Sequence, residues 1–187
     1  MLSFFRQYIK NPRMVGAVAP SSKKLAKAMV SPVSFSHAAC IVEFGPGTGV
    51  FTDELIHKRK KGTILVLVEQ NREFYKLLKK KYYNQKNMVL INGSAEDADH
   101  ILGKYGIYHA DYIISGLPFA SLPEKVSDKI IKAVKNIIGS DGIFITFQYT
   151  MLKRKFFLQH FKLKDCIYVF KNLPPANVFV MECRRYS

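Results

Sequence analysis

The chain has no tryptophan and few acids, and its three cysteines, Cys40, Cys166 and Cys183, are scattered. An odd number of cysteines without histidines at metal spacing excludes a disulfide framework and a zinc site, leaving buried free thiols as the expectation and no metal. Long apolar runs are also missing. A bilayer crossing needs roughly 20 consecutive apolar residues, and the longest candidates, 64–68 and 143–147, are far shorter. Near the amino terminus, Arg6 and Lys10 interrupt Leu2, Phe4 and Phe5 before a secretory core can form, so the chain reads as cytoplasmic. Repeats, low-complexity linkers and composition breaks are absent. With 187 residues, 48% of them hydrophobic, one domain over 1–187 is expected, its first 30 residues forming a helical lid or membrane-contact segment.

Positive charge is what the chain has in excess. Lysine and arginine number 29 against 14 acids, a formal +15. A field of that sign concentrates polyanions, and both RNA and an anionic lipid leaflet attract such a surface. The runs 57–61, 79–81 and 153–155 carry much of it, and each also suits a solvated helix face. Within 1–10, Leu2, Phe5 and Ile9 share a helical face beside Arg6 and Lys10, the pattern of a helix lying in a bilayer interface or on the protein as a lid. Pro20-Ser21-Ser22 then supplies a turn and a cap for a helix over 23–30.

Apolar runs rich in β-branched residues predict strands at 40–44, 63–68, 88–91, 111–114 and 142–148. They alternate with helical patterns at 51–58, 72–83, 97–102 and 124–138, the last stopped by Gly139. This alternation predicts a parallel sheet with helices on both faces. Strands at 164–170 and 177–183, joined through Asn172-Leu173-Pro174-Pro175, add an antiparallel hairpin at one edge. The expected fold is therefore α/β: a Rossmann-like, seven-stranded, mostly parallel sheet with an antiparallel C-terminal hairpin and an N-terminal helical segment.

The strongest local signal is Glu43-Phe44-Gly45-Pro46-Gly47-Thr48-Gly49, a buried strand that empties into glycines and then a helix. Glycines let a backbone approach a ligand closely. The spacing Gly-x-Gly-x-Gly misses the dinucleotide pattern, whose last glycine would fall at Val50, and no phosphate-loop lysine follows. Glu43 just before the loop suits a ligand with an ammonium and a sulfonium. Glu69, with Gln70, ends the second strand where an acid can accept ribose hydroxyl protons. Asn92-Gly93-Ser94-Ala95-Glu96 follows the third strand, where a loop residue and its neighbouring amide would meet an adenine edge. Gly45, Gly47, Thr48 and Gly49 complete the contacts expected of the loop.

These segments resemble the class I methyltransferases, in the branch that holds ribosomal RNA adenine dimethylases and bacterial phospholipid N-methyltransferases. The resemblance runs from about Val15 to Arg184. It leans toward the phospholipid enzymes through 15–22, 43–51, 115–123 and 172–176. It implies S-adenosylmethionine as cofactor, with Val18 and Ser115 among its contacts, and phosphatidylethanolamine, at the inner membrane surface, as methyl acceptor. Adenine dimethylases carry Asn-Leu-Pro-Tyr or a close variant at the end of strand four, the amide orienting the exocyclic amine. Here Leu117-Pro118-Phe119 keeps the aromatic, but Gly116 stands where the asparagine belongs. The extra helical domain with which the ribosomal enzymes grip RNA is also not expected in this chain.

Transfer from a sulfonium is an in-line displacement that depends on alignment and needs no metal. An alkyl ammonium must first lose a proton. The Ser115 hydroxyl, carbonyls near Leu117, and Tyr149 are the candidate acceptors, while Phe119 and Tyr149 offer aromatic faces to a methylammonium. An RNA adenine methyltransferase and a non-catalytic cofactor- or membrane-binding protein remain as alternatives.

Overall fold

The computed structural model describes residues 20–151 and 153–183. Val18 and the expected interfacial helix over 1–10 lie outside the described residues. Along the chain the order is α1 (Pro20–Val30), β1 (Cys40–Phe44), α2 (Val50–Lys58), β2 (Ile64–Glu69), α3 (Arg72–Lys81), β3 (Met88–Asn92), α4 (Ala98–Gly103), β4 (Ala110–Ser115), α5 (Glu124–Ile137), β5 (Ile138–Gln148), α6 (Arg154–His160), β6 (Phe161–Val169) and β7 (Ala176–Cys183). The strands form one seven-stranded sheet in the order β3-β2-β1-β4-β5-β7-β6. Pairings among β1 to β5 are parallel, and β7 runs antiparallel to both β5 and β6. The expected Rossmann-like sheet and its closing hairpin are therefore present.

The sheet is covered on both faces, which is why β1 is buried at every position and β2 at all but its first. One core joins Val42, Phe44, Val66 and Phe144 to α4, α5 and α6 through Leu102, Ile130, Val134 and Phe157. The other joins Ile41, Leu65, Leu67 and Ile145 to α1, α2 and α3 through Met29, Leu55 and Leu78. Alternate residues of each strand thus serve opposite faces.

Three expectations change. Gly139 does not stop α5; the helix ends at Ile137, and Ile138 is already extended and paired with Ala110. Between that pair and Tyr112↔Ile143 the register shifts, so residues 139–142 bulge out of the ladder. Helix α6 has no counterpart in the sequence pattern, being seven residues long without a side-chain cap. Finally, only Cys40 of the three thiols is buried; Cys166 is exposed on the edge strand β6, and Cys183 is half-buried.

Because β1 is followed by strands on one side and β4 lies on the other, the chain order reverses between them. Crevices at such reversals, beyond the carboxyl ends of the strands, are where doubly wound sheets bind ligands. The register puts Phe44 level with Ser115 and Val68, Ser115 with Thr146, and Glu69 with Asn92. All strand-end residues of interest therefore share one edge.

On one face, Phe144 holds that arrangement against Phe119, Phe157 and Phe161, with ring centroids 5.3–6.4 Å apart. Phe144→Ala is expected to cost about 3–5 kcal/mol of unfolding free energy, read from urea denaturation.

Candidate functional site

The loop after β1 is built from backbone. Gly45, Gly47 and Gly49 have φ of +66°, +57° and +86°, in the left-handed region that side chains disfavour. A Cβ on Gly45 would stand 2.7 Å from Leu117 Cδ2. Opposite it, a Cβ on Gly116 would stand 2.8 Å from the Gly45 carbonyl oxygen. The ends of β1 and β4 therefore meet through bare backbone, with Gly116 N–H donating to Phe44 O at 2.8 Å. Gly49 caps α2, whose first turn faces the loop.

Two carboxylates flank this loop. Glu69, 6% exposed, accepts from Gly47 N–H through Oε2 at 3.0 Å and from Asn71 N–H through Oε1 at 2.8 Å. Burial raises its pKa, while these backbone donors pull the other way. Asn71 in turn caps α3, its Oδ1 accepting from Glu73 and Phe74. Glu43 is fully buried; its Oε2 accepts from Thr52 Oγ1 at 2.7 Å, and its Oε1 has no hydrogen-bond partner among the described residues. Burial first, then the neighbouring Glu69 and Asp53, push its pKa up to about 8 against the Thr52 hydrogen bond and Lys81.

The exit of the loop is clamped from α3. Tyr82 Oη lies 2.7 Å from Asp53 Oδ1 and 3.0 Å from Gly49 O, so its one proton serves one acceptor at a time. Lys81 Nζ donates to Asp53 Oδ2 at 2.7 Å and to Thr48 O at 3.3 Å. Burial, reinforced by the Asp53 hydrogen bond, raises the Tyr82 pKa, which keeps the hydroxyl protonated as a donor.

Beyond β3, Asn92 Nδ2 donates to the carbonyls of Glu69 and Gln70, tying the second and third strand ends together. Ser94 accepts from Glu96 N–H and caps a short turn of 3-10 helix over Ala95–Asp97. Ala95 is buried there, and the Glu96 carboxylate pairs with Lys129 of α5 at 3.5 Å.

The acceptor side differs from expectation at two residues. Phe119 is fully buried, its ring 5.1 Å from Phe157 and 6.4 Å from Phe144, so it packs the core and offers no open aromatic face. Ser115 is also fully buried and its Oγ accepts from Leu117 N–H at 3.3 Å, which gives it the role of shaping the turn. Leu117 is half-buried over Gly45, and its carbonyl accepts from Phe119 N–H. Tyr149 stays 41% exposed, edge-on to Phe147 at 5.2 Å. Thr52, Asp53, Lys81, Tyr82 and Asn71 are not legible as site residues in the sequence. Neither is Gln148, 3% exposed at the end of β5, whose Nε2 has no hydrogen-bond partner among the described residues. Asn71 ahead of Glu73 carried a legible cap signal; the clamp residues lie up to 33 positions from their partners and carried none.

The site fits S-adenosylmethionine on its own features. Its glycine loop packs so closely that a Cβ at Gly45 or Gly49 would strike Leu117 or Tyr82, one buried Glu43 carboxyl oxygen has no partner among the described residues, and a second carboxylate lies at the neighbouring strand end. Among the described residues there is no cluster of metal ligands and no helix long and apolar enough to cross a membrane.

Two outcomes follow from this geometry. Tyr82→Phe removes the donor at the loop exit; unfolding free energy should fall by about 1–2 kcal/mol and calorimetric affinity for S-adenosylmethionine roughly fivefold. The folded chain keeps the Glu43 proton up to about pH 8, while an unfolded chain releases it in the ordinary carboxylate range. Glu43 therefore makes stability fall as pH rises between those limits, and Glu43→Gln should flatten the denaturation midpoint measured from about pH 5 upward.

Similarity to known proteins agrees with this site. The profile of the ribosomal RNA adenine dimethylase family matches residues 6–167. The ornithine lipid N-methyltransferase of Singulisphaera acidiphila is 28% identical over 178 residues, covering 94% of this chain and 92% of that protein. The ribosomal RNA small subunit methyltransferase A of a Hydrogenobaculum species is 32% identical over 111 residues, covering 59% of this chain and 40% of that enzyme. Among solved structures, Burkholderia thailandensis 1,6-didemethyltoxoflavin-N1-methyltransferase, bound to S-adenosylhomocysteine, superposes with a TM-score of 0.71 at 12% identity over 98% of this chain and 87% of that one. Aeropyrum pernix fibrillarin with natively bound S-adenosyl-L-methionine gives a TM-score of 0.69 at 12% identity, covering 86% of this chain and 76% of that one. The chain belongs to the ribosomal RNA adenine dimethylase family and is an S-adenosylmethionine-dependent methyltransferase.

Proposed function

We propose that the enzyme methylates the primary amine of a membrane lipid, phosphatidylethanolamine or an ornithine-type aminolipid, working as a peripheral protein at the membrane surface. The observation that carries this reading is at Gly116. An adenine-directed site needs an amide there, yet a Cβ would stand 2.8 Å from the Gly45 carbonyl oxygen and 3.6 Å from that of Phe44. Backbone cannot yield as a flexible side chain does, so asparagine is excluded without moving the cofactor loop. A pocket lacking that acceptor leaves the polar edge of adenine unpaired, which is costly on burial. Similarity along nearly the whole length of a lipid N-methyltransferase supports the same reading.

When bound, S-adenosylmethionine supplies a methyl group activated on a sulfonium. The chain's own residues hold and orient. The glycine loop and Glu69 fix the cofactor side, and Leu117 and Tyr149 border the acceptor side. Gln148, buried at the same sheet edge with an amide nitrogen that has no partner among the described residues, is the polar group best suited to a headgroup oxygen.

The test supplies methyl-labelled cofactor with, separately, vesicles containing phosphatidylethanolamine, vesicles containing ornithine lipid, and ribosomal RNA. Label is expected on a lipid amine; label confined to RNA overturns the proposal. Gly116→Asn should weaken cofactor binding roughly tenfold through overpacking and gain no methylation of RNA.

A further inference from the structure

We propose that the β6–β7 turn enters the bilayer interface and aligns the active edge with lipid; this rests on the aminolipid reading. Val169 pairs with Ala176 and Gln148 with Asn177, so the turn leaves the sheet at the edge that carries the glycine loop and Ser115. From β4 to β7 is two strand steps, a lateral distance of roughly 10 Å.

At this turn the chain exposes large apolar groups. Tyr168, Phe170 and Leu173 are 59%, 72% and 87% exposed. They are held outward by a built turn. Asn172 is buried, donates through Nδ2 to Pro174 O at 2.7 Å, and its N–H donates to Val169 O at 3.2 Å. Behind them Val169 and Ile167 pack toward α1, so the exposed side chains cannot be drawn into that core. Tyr149 and Met151, 41% and 48% exposed, leave β5 at the same edge.

The chemistry of the patch selects a lipid interface over a protein partner. Tyrosine and phenylalanine with one apolar anchor suit the headgroup boundary, where apolar rings bury and polar tips stay wet. Across 166–175 the one charged residue is Lys171, which is exposed, and the run 153–155 opens α6 from the same edge. These cations, within a chain of formal +15, complement an anionic leaflet.

Since the chain has no tryptophan, a single one introduced at the turn reports its own surroundings. The full chain carrying Phe170→Trp is mixed with vesicles of phosphatidylglycerol and phosphatidylcholine, with and without brominated acyl chains. A blue shift and bromine quenching are expected, while Tyr108→Trp, at the opposite edge ahead of β4, stays unquenched. Phe170→Ser with Leu173→Ser should lower vesicle partition at least roughly tenfold, because each large apolar side chain buried is worth that much or more. The proposal is overturned if the intact protein does not sediment with these vesicles, or if Phe170→Trp is unquenched on vesicles that carry the protein down. It is equally overturned if the double serine variant partitions as before, or if the patch instead drives a concentration-dependent dimer that the serines abolish. These vesicles hold no amine acceptor, so binding without methylation of any aminolipid would sink the functional reading alone. Methylation of aminolipid by a protein whose turn stays dry would sink this inference alone.

Discussion

The bare-backbone contact between Gly45 and Gly116 is the constraint on which the site depends. It lets the ends of β1 and β4 approach until Gly116 N–H reaches Phe44 O at 2.8 Å. That closure sets where the glycine loop lies relative to the acceptor side, with no side chain between them. Leu117 seals it from above, its Cδ2 filling the space a Gly45 side chain would claim. A single methyl group at either glycine would therefore disturb the ends of both strands together.

Around this contact the chain spends its scarce acids in places where burial raises their cost. Glu43 has no exposed surface and Glu69 almost none, yet both lie beside the same loop. Glu69 is held by two backbone N–H groups that also fix Gly47 and the start of α3. Among the described residues Glu43 has one hydroxyl donor and one oxygen without a partner. A carboxyl in that state is poised for a cation, since positive charge nearby would favour the ionised form that burial disfavours. Its neighbours Thr52, Asp53, Lys81 and Tyr82 form the polar bridge from α2 to α3 that keeps the loop exit in place.

Much of this was legible in the sequence because the relevant signals are local. Strand, glycine loop and helix are contiguous at 40–58, and Glu69 ends an apolar run, so the cofactor side needed no tertiary knowledge. The hairpin was equally visible through its prolines. What stayed hidden depended on distance in sequence. Tyr82 reads as the tail of a basic helix until folding brings its hydroxyl to Gly49, and Phe119 reads as an open ring until Phe144 and Phe157 close over it. Helix α6 was missed because seven residues with adjacent phenylalanines, Phe156 and Phe157, carry too little periodicity. The bulge at 139–142 was missed because Gly139 serves strand irregularity as readily as a helix stop.

On the aminolipid reading, the positive charge does two things at once. It draws the protein to an anionic leaflet, and it opposes the protonated state of the acceptor. A primary ammonium with an ordinary pKa of about 10 would be almost wholly protonated at neutral pH. Burial and like charge both lower that value, since each disfavours the charged form. A base of high proton affinity is then less necessary than an edge that takes the amine out of water near cations. This agrees with the ends of β4 and β5, where Ser115 is committed to its turn and the Gln148 amide nitrogen, without a partner among the described residues, is a donor and not a base. The same field would hold the lipid's anionic group while its amine releases the proton to water, so recruitment and activation would share one electrostatic cause.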